Sequence, residues 1–425
     1  MTTDQTVAKP RTPSSTRRAI AAATIGNALE WFDLGVYALM AAYIGKTFFP
    51  GGNAAVQLVQ AYAVFGITFL VRPLGGLVLG AYADRFGRKK ALVLTIWLMV
   101  IGTFLLAVMP GYATIGFLAP VGVIVARLIQ GFAAGGEFGA ATSFLIEQDD
   151  RRKGFLGSFQ FASQGFATLM SAGFAAGLTA SLSADAMTSW GWRIPFVFGL
   201  LVGPVGYYIR RHVDEPEAAQ GKQPTSTPVR TLFRFHWGGL LIAGGALVVS
   251  TSLNFILQSL PTFAIKNLGL DDSLSFVALM ITAAILTVVT PIVGLLTDRH
   301  GRIRIMIGAA AVIGAGVVPL YLWVTTSPSF LTLTVTMTIL GLLKATYFGA
   351  LPSVMADVFP AHTRATGLSF AYNATVGIFG GFTPTIATAM IAATGSPVSP
   401  GYYLLATASL SIVALVAANR RRGIR

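Results

Sequence analysis

Six ionisable residues lie inside stretches otherwise apolar enough to cross a bilayer: Glu30, Asp33, Arg72, Arg127, Glu137 and Lys344. Three are acids and three are bases. Unpaired at the centre of a hydrocarbon layer, each would cost about 2.5 to 3.5 kcal/mol on insertion scales, so they must pair with one another or line water. Glu30 and Asp33 stand three residues apart, on one face of a helix. A carboxylic acid in a low-dielectric cavity holds its proton more tightly, and a neighbouring guanidinium loosens it, so moving one partner relative to the other loads or unloads a proton. Arg72, Arg127 and Lys344 supply fixed positive charge suited to gripping carboxylates.

Counting about 1.5 Å per residue from the nearest loop charge places these groups by depth. Glu30 is twelve residues from Arg18, and Arg72 twelve from Asp84, each about 18 Å deep. Asp33 and Lys344 come to about 20 Å, Glu137 slightly shallower, and Arg127, twenty residues before Glu147, about 30 Å. Uncharged polar residues at similar levels are Gln160 and Gln164, Asn254 and Gln258, and Tyr372 with Asn373. Gln164, Asn254, Gln258, Tyr372 and Asn373 are read as hydrogen-bond donors to a substrate, although such residues also bind helices together.

The elements that must position these groups are membrane helices. Of 425 residues, 54% are hydrophobic and 11% charged, against about a quarter charged in soluble domains, and mean hydropathy is +0.70. Apolar runs of spanning length recur over residues 20–43, 57–82, 90–109, 118–146, 156–180, 191–210, 237–264, 274–297, 304–325, 329–356, 364–391 and 401–419. The reading is an all-α membrane protein of twelve helices. Net charge is +14, but Lys and Arg cluster between apolar runs on one side, as the positive-inside rule requires, not along one face as nucleic-acid binding would. Both termini are therefore expected in the cytoplasm, with helix 1 retained.

Residues 211–236 form the longest polar connection and divide the chain into a first bundle (1–210) and a second (237–425). GAYADRFGRKK (80–90) recurs as GLLTDRHGRIR (294–304), and Glu147 with DDRRKG matches Asp357 with FPAHTRATG, at offsets of 214 and 210 residues. Duplicated six-helix halves are the signature of a transporter that rocks around a midplane site. The motif residues Asp84, Arg85, Arg88, Asp298, Arg299 and Arg302 are expected to gate one mouth by charge-assisted contacts across helix ends.

The G-x-x-x-D-R-x-G-R motif, in two copies, resembles the signature loop of the major facilitator superfamily. GNALEWFD, RPLGG, ARLIQGFAAGGE and WGWRIPF resemble its metabolite:proton symporter family, and YIGKTFFP, FGGFTPTIATAM and TGSPVSPGYYL look most like the citrate and tricarboxylate symporters within it. The resemblance implies two pseudo-symmetric six-helix bundles, a bacterial inner-membrane location, and proton-coupled symport of an organic acid anion. It also implies, by likeness to sugar porters of the superfamily, that Asp33 takes the proton and releases Arg127; Glu30 and Glu137 are read from their position among the buried charges as further proton-coupling residues. A proline or betaine symporter is the alternative, since GNALEWFD is shared across the family. The last residues, NRRRGIR, carry no heptads, which favours metabolite uptake.

Other chemistries find little support. All four histidines (His212, His236, His300, His362) fall in loops or at a helix end, outside the expected transport path, and there is no cysteine, no H-E-x-x-H and no phosphate loop. No enzyme activity, cofactor or metal is expected; the coupling ion is a proton, and the partners are a small organic acid, the bilayer and no nucleic acid, with the chain working as a monomer. The G-P-x-x-G-G string of drug antiporters is missing from 157–177. WGWRIPF reads as an interfacial aromatic belt with an arginine anchor.

Overall fold

In the computed structural model the described residues are 13–86, 88–200, 203–204, 236–360 and 363–423. They are helical with no strand among them. The side chains of Asp84 and Arg88, expected to gate, lie outside the described residues. The expected connection 211–236 lies outside the described residues except for His236, as do His212 and His362.

Each expected span is represented by helix. In the first bundle these are α1 (Pro13–Leu39) with α2 (Ala41–Phe48), α3 (Ala54–Leu70) with α4 (Arg72–Phe86), α5 (Arg88–Val108), α6 (Leu118–Ala134) with α7 (Glu137–Ile146), α8 (Lys153–Ser181), and α9 over 194–200. The second bundle contains α10 (Trp237–Leu268), α11 (Asp272–His300), α12 (Arg302–Thr326), α13 (Phe330–Asp357), α14 (Arg364–Val376) with α15 (Thr383–Thr394), and α16 (Ser399–Arg422). Among the described residues, eight spans are long and apolar enough to cross a membrane.

Large apolar side chains such as Leu74, Trp97, Phe104 and Val413 point outward, while Glu30, Asp33, Arg72, Arg127 and Lys344 are buried. That inversion is what a hydrocarbon surround selects.

Glycines set how closely the helices cross. A Cβ on Gly131 would strike the Thr68 carbonyl, one on Gly135 the Arg72 carbonyl, and one on Gly75 the Phe132 carbonyl. RPLGG and QGFAAGG are thus the two faces of one backbone-to-backbone crossing, which brings Arg72 and Arg127 into the bundle interior.

Between α14 and α15 the chain makes a π-turn over Gly377–Gly381. The freed Phe379 carbonyl accepts hydrogen bonds from Thr383 (2.6 Å), Ser252 (2.8 Å) and Tyr403 (3.4 Å). Irregular backbone at membrane depth is tolerated when protein groups satisfy it in this way.

At the end of the molecule that carries the repeated D-R-x-G-R loops, polar contacts join the two bundles. The Asp298 carboxylate accepts from the backbone N–H of Gly154 (2.8 Å) and Phe155 (3.0 Å), capping the first turn of α8. Arg302 grips Asp298 (3.2 Å) and Asp357 (2.7 Å), and Arg364 reaches Glu147 across the bundles at 3.3 Å. Arg299 does not join them: it is exposed, with no ion-pair partner among the described residues. As Asp298's immediate neighbour it lies about 100° away round the helix, so its expected gating contact is corrected. Arg85 is likewise exposed, resting over the Phe86 ring at 5.3 Å.

The expected aromatic belt at WGWRIPF is half right. Trp190 is exposed, but Trp192 is fully buried, edge-on to Phe48 at 5.5 Å, and Arg193 donates to the carbonyls of Ser189 (2.6 Å) and Met109 (3.0 Å). The segment fastens loops to the core.

Candidate functional site

The first bundle contains two buried acid–arginine pairs. Arg72 Nη2 lies 2.8 Å from Glu30 Oε1, and Arg127 Nη1 lies 3.1 Å from Asp33 Oδ2. Glu30 and Arg72, which residue counting puts at one depth, meet. For Arg127 the count placed it well above Asp33, which the ion pair corrects. Residue counts from two different loop charges assume untilted helices that start at one level, and the ion pair shows that this does not hold between α1 and α6.

Asp33 is held by more than its arginine. Gln130 Nε2 donates to Oδ2 (2.8 Å) and Thr103 Oγ1 donates to Oδ1 (2.9 Å), while Arg127 also donates to Gln130 Oε1 (2.7 Å). Its guanidinium lies 3.8 Å over the Tyr37 ring, leaving Nε and Nη2 without hydrogen-bond partners. A fully buried arginine with two spare donors is set up for a second acceptor. Tyr37 was legible as the residue four beyond Asp33 on the same face; Thr103, one hydroxyl in an apolar run, gave almost no signal.

Arg72 sits 4.6 Å over the Phe69 ring, and its Nε is unpartnered. Its charge and that of Glu30 both act on the Tyr372 hydroxyl from the second bundle. Gln164 Nε2 reaches that hydroxyl at 3.4 Å, and the Tyr372 ring stacks on Phe138. Glu30, Asp33 and Glu137 line one cavity of about 90 Å³ between α1, α5, α6–α7 and α9. Three acids and no base face it.

Across the bundle interface the arrangement differs. Lys344, 3% exposed on α13, donates to Asn254 Oδ1 at 2.5 Å and lies 4.8 Å over the Phe348 ring. No carboxylate lies within ion-pair distance of it among the described residues. Three salt bridges fastening helices would have been the bland account of the six charges; Lys344 breaks that account. Gln258, one turn beyond Asn254, has a buried, unpartnered Oε1. Asn373 donates to the Gly135 carbonyl at 2.7 Å across the bundles, leaving its own oxygen free.

Gln160 is helix glue. It exchanges hydrogen bonds with Asn27, which also donates to Ser163. Around these groups the bundles meet through rings, Phe161 on Phe348 and Phe255 against Phe65, Phe69 and Trp31.

The sequence matches the family described as Major Facilitator Superfamily over residues 23–384 and over 273–423. The chain belongs to the Major Facilitator Superfamily. Among relatives of this facilitator, the citrate-proton symporter of Klebsiella pneumoniae is 37% identical over 411 residues, covering 96% of this chain and 92% of the relative. The proline/betaine transporter of Salmonella typhimurium is 34% identical over 418 residues, covering 93% and 82%. A crystal structure of a D-xylose-proton symporter superposes with a TM-score of 0.75 at 17% identity, covering 95% of this chain and 97% of that one, a likeness of fold alone. The facilitator fold therefore places the paired acids and the lone lysine on opposite sides of the interface between its two bundles.

Proposed function

We propose that this facilitator is a secondary transporter, not an enzyme, that carries an organic acid anion, a tricarboxylate such as citrate or a dicarboxylate, into the cell together with protons. The observation that carries the reading is Lys344: a buried cation with no protein counter-ion, held by Asn254 so that two of its N–H donors remain for a carboxylate. A group that expensive to bury is best explained by an anion that arrives and leaves.

Proton coupling falls to the other bundle. With Asp33 ionised, Arg127 is locked onto it. Protonation removes the charge from the pair and frees the guanidinium, whose unpartnered Nε and Nη2 can then turn to the anion. Glu30 with Arg72 repeats the device one turn away, and Glu137 completes the acid-lined cavity through which protons reach both. Gln164, Tyr372, Gln258 and Asn373 supply the neutral hydrogen bonds around the cargo. Cargo and proton then help one another's binding, which is what symport requires. Rocking of the residue 1–210 bundle against the 237–425 bundle, joined by 211–236, exposes the site alternately. Charge bias supports a cytoplasmic position for the D-R-x-G-R end and both termini, and the reading has the chain act as a monomer in a bacterial inner membrane.

A zwitterionic osmolyte such as proline or betaine is the second reading. It draws on relatives at 34% identity and on the rings of Phe138, Phe161, Phe348 and Tyr372, which suit a quaternary ammonium. Against it, Glu30 and Asp33 are already committed to arginines. Uptake of labelled citrate, a dicarboxylate, shikimate and betaine into proteoliposomes, with and without an inward proton gradient, decides between them. Gradient-driven accumulation of the polycarboxylates is expected; gradient-indifferent uptake, or accumulation of betaine alone, would overturn the reading.

A further inference from the structure

At the end opposite the D-R-x-G-R loops lies a chamber of about 260 Å³ between the bundles, lined from both by Lys46, Tyr62, Ser259, Thr262 and Lys266 among others. Its composition is unlike the rest of the interface. Lys46 and Lys266 come from different bundles, both are exposed, neither has an ion-pair partner among the described residues, and no acid lines the chamber. Deeper in, Tyr62 and Thr262 are 1% and 3% exposed, and their hydroxyls face one another with no other hydrogen-bond partner among the described residues. Two buried hydroxyls that have only each other, and so keep an O–H to spare, lie beneath two unneutralised ammonium groups and form a receptor for an anion.

The chamber also leads somewhere. Thr262, Gln258 and Asn254 stand at four-residue steps along α10, so they share a face and span about 12 Å of rise. Asn254 holds Lys344, and Gln258 between them has an unpartnered oxygen while its amide can donate. A carboxylate in the chamber therefore has a neutral hydrogen-bonding rail toward the central lysine. Its volume lies just below that of typical drug-sized pockets, which suits a small metabolite.

We infer that this chamber is a second anion site, an antechamber in which Lys46 and Lys266 capture the carboxylate cargo and pass it along α10 to Lys344. The inference rests on the carboxylate reading of the cargo, but its geometry can be tested apart from transport. Two cations in a low-dielectric cleft raise the local concentration of anions, and the on-rate enhancement so obtained falls with ionic strength.

The chain has no cysteine, so Ser259→Cys places a single thiol in the chamber of the otherwise unaltered protein. In proteoliposomes, an anionic methanethiosulfonate should outrun a cationic one at this thiol by about 10-fold relative to a free thiol, the lower end of electrostatic focusing. Adding Lys46→Gln and Lys266→Gln should erase that preference, and Lys46→Arg with Lys266→Arg should keep it. Citrate should slow the labelling even when Lys344→Ala disables the central site. A thiol that neither reagent reaches, a preference that ignores the lysines, or citrate protection that vanishes with Lys344→Ala would each overturn the antechamber.

In the chain with native Ser259, Lys46→Gln with Lys266→Gln should raise the KM for citrate uptake about 10-fold at low salt with Vmax retained, and flatten its salt dependence. An unchanged KM overturns the proposal through a second route. If citrate protects the thiol but no gradient drives its uptake, the symport reading fails while the antechamber stands; if uptake is driven and the lysines are indifferent, the reverse holds.

Discussion

The two bundles descend from one pattern, repeated loop for loop, yet they handle buried charge in opposite ways. In the first, each buried acid already has its arginine: Glu30 with Arg72, Asp33 with Arg127. In the second, Lys344 has an amide and a ring but no acid. A buried pair can wait indefinitely, because each charge answers the other; a lone buried cation is costly until something negative arrives. The difference teaches a division of labour. On the proposed function, the half with closed pairs stores the proton and the half with the open charge recruits its partner from outside.

The sharpest break of that comparison removes one member of a pair. Arg127→Leu strands Asp33 in the interior and should destabilise the protein by about 3 to 5 kcal/mol, the usual cost of an orphaned buried charge. Asp33→Asn combined with Arg127→Leu should recover most of the loss. Thermal unfolding in detergent checks both, and a double variant no more stable than Arg127→Leu alone would show that the two do not act as a pair. Asp33→Asn alone keeps the shape of the carboxylate but cannot ionise. Gradient-driven accumulation of citrate should vanish while exchange of bound citrate across the membrane partly survives, measured as uptake against counterflow. Equal loss of both would remove Asp33 from proton coupling.

The open side predicts the converse. Lys344→Ala strands no acid, so the folded protein should be as stable as before, whereas citrate binding should weaken about 10- to 100-fold, the worth of one charge-assisted hydrogen bond in a dry site. Titration calorimetry with unfolding curves separates the two effects. Unaltered affinity would take Lys344 out of the cargo site; lost stability with intact affinity would make it a structural cation.

Much of the site is legible in the sequence. Depth counting works where a helix runs unbroken from a loop charge, as for Glu30 and Arg72, and Lys344 stands out because TILGLLKATYFG has no other charge. The count fails at Arg127, which meets Asp33, because counts from separate loop charges carry no information on how each helix tilts or at what level its loop sits. Thr103, the Asn27–Gln160 clamp and the burial of Trp192 were illegible for a related reason: each depends on which face meets which neighbour, and polar residues in membrane helices serve as glue and as ligand alike. The chamber beneath Lys46 and Lys266 is hidden more deeply, since it exists only where two bundles fail to touch.

The comparison extends, more gently, to adjacent residues of one motif. Asp298 accepts two backbone N–H groups at the start of α8 and holds Arg302, whereas Arg299 touches no charge among the described residues. Asp298→Asn keeps the size but removes the negative charge from a helix N-terminus, where a carboxylate in a partly buried setting contributes up to about 2 kcal/mol. Amide exchange in the first turn of α8 should quicken by roughly 10-fold, because that turn would lose its cap and the bundles part more often at this end. Arg299→Gln should leave the same amides within about 2-fold, as exposed charges away from any partner do little. If both substitutions loosened α8 alike, the motif would act through its net positive charge, and the contact between Asp298 and the helix start would be incidental; if only Asp298→Asn does, the gate is that contact.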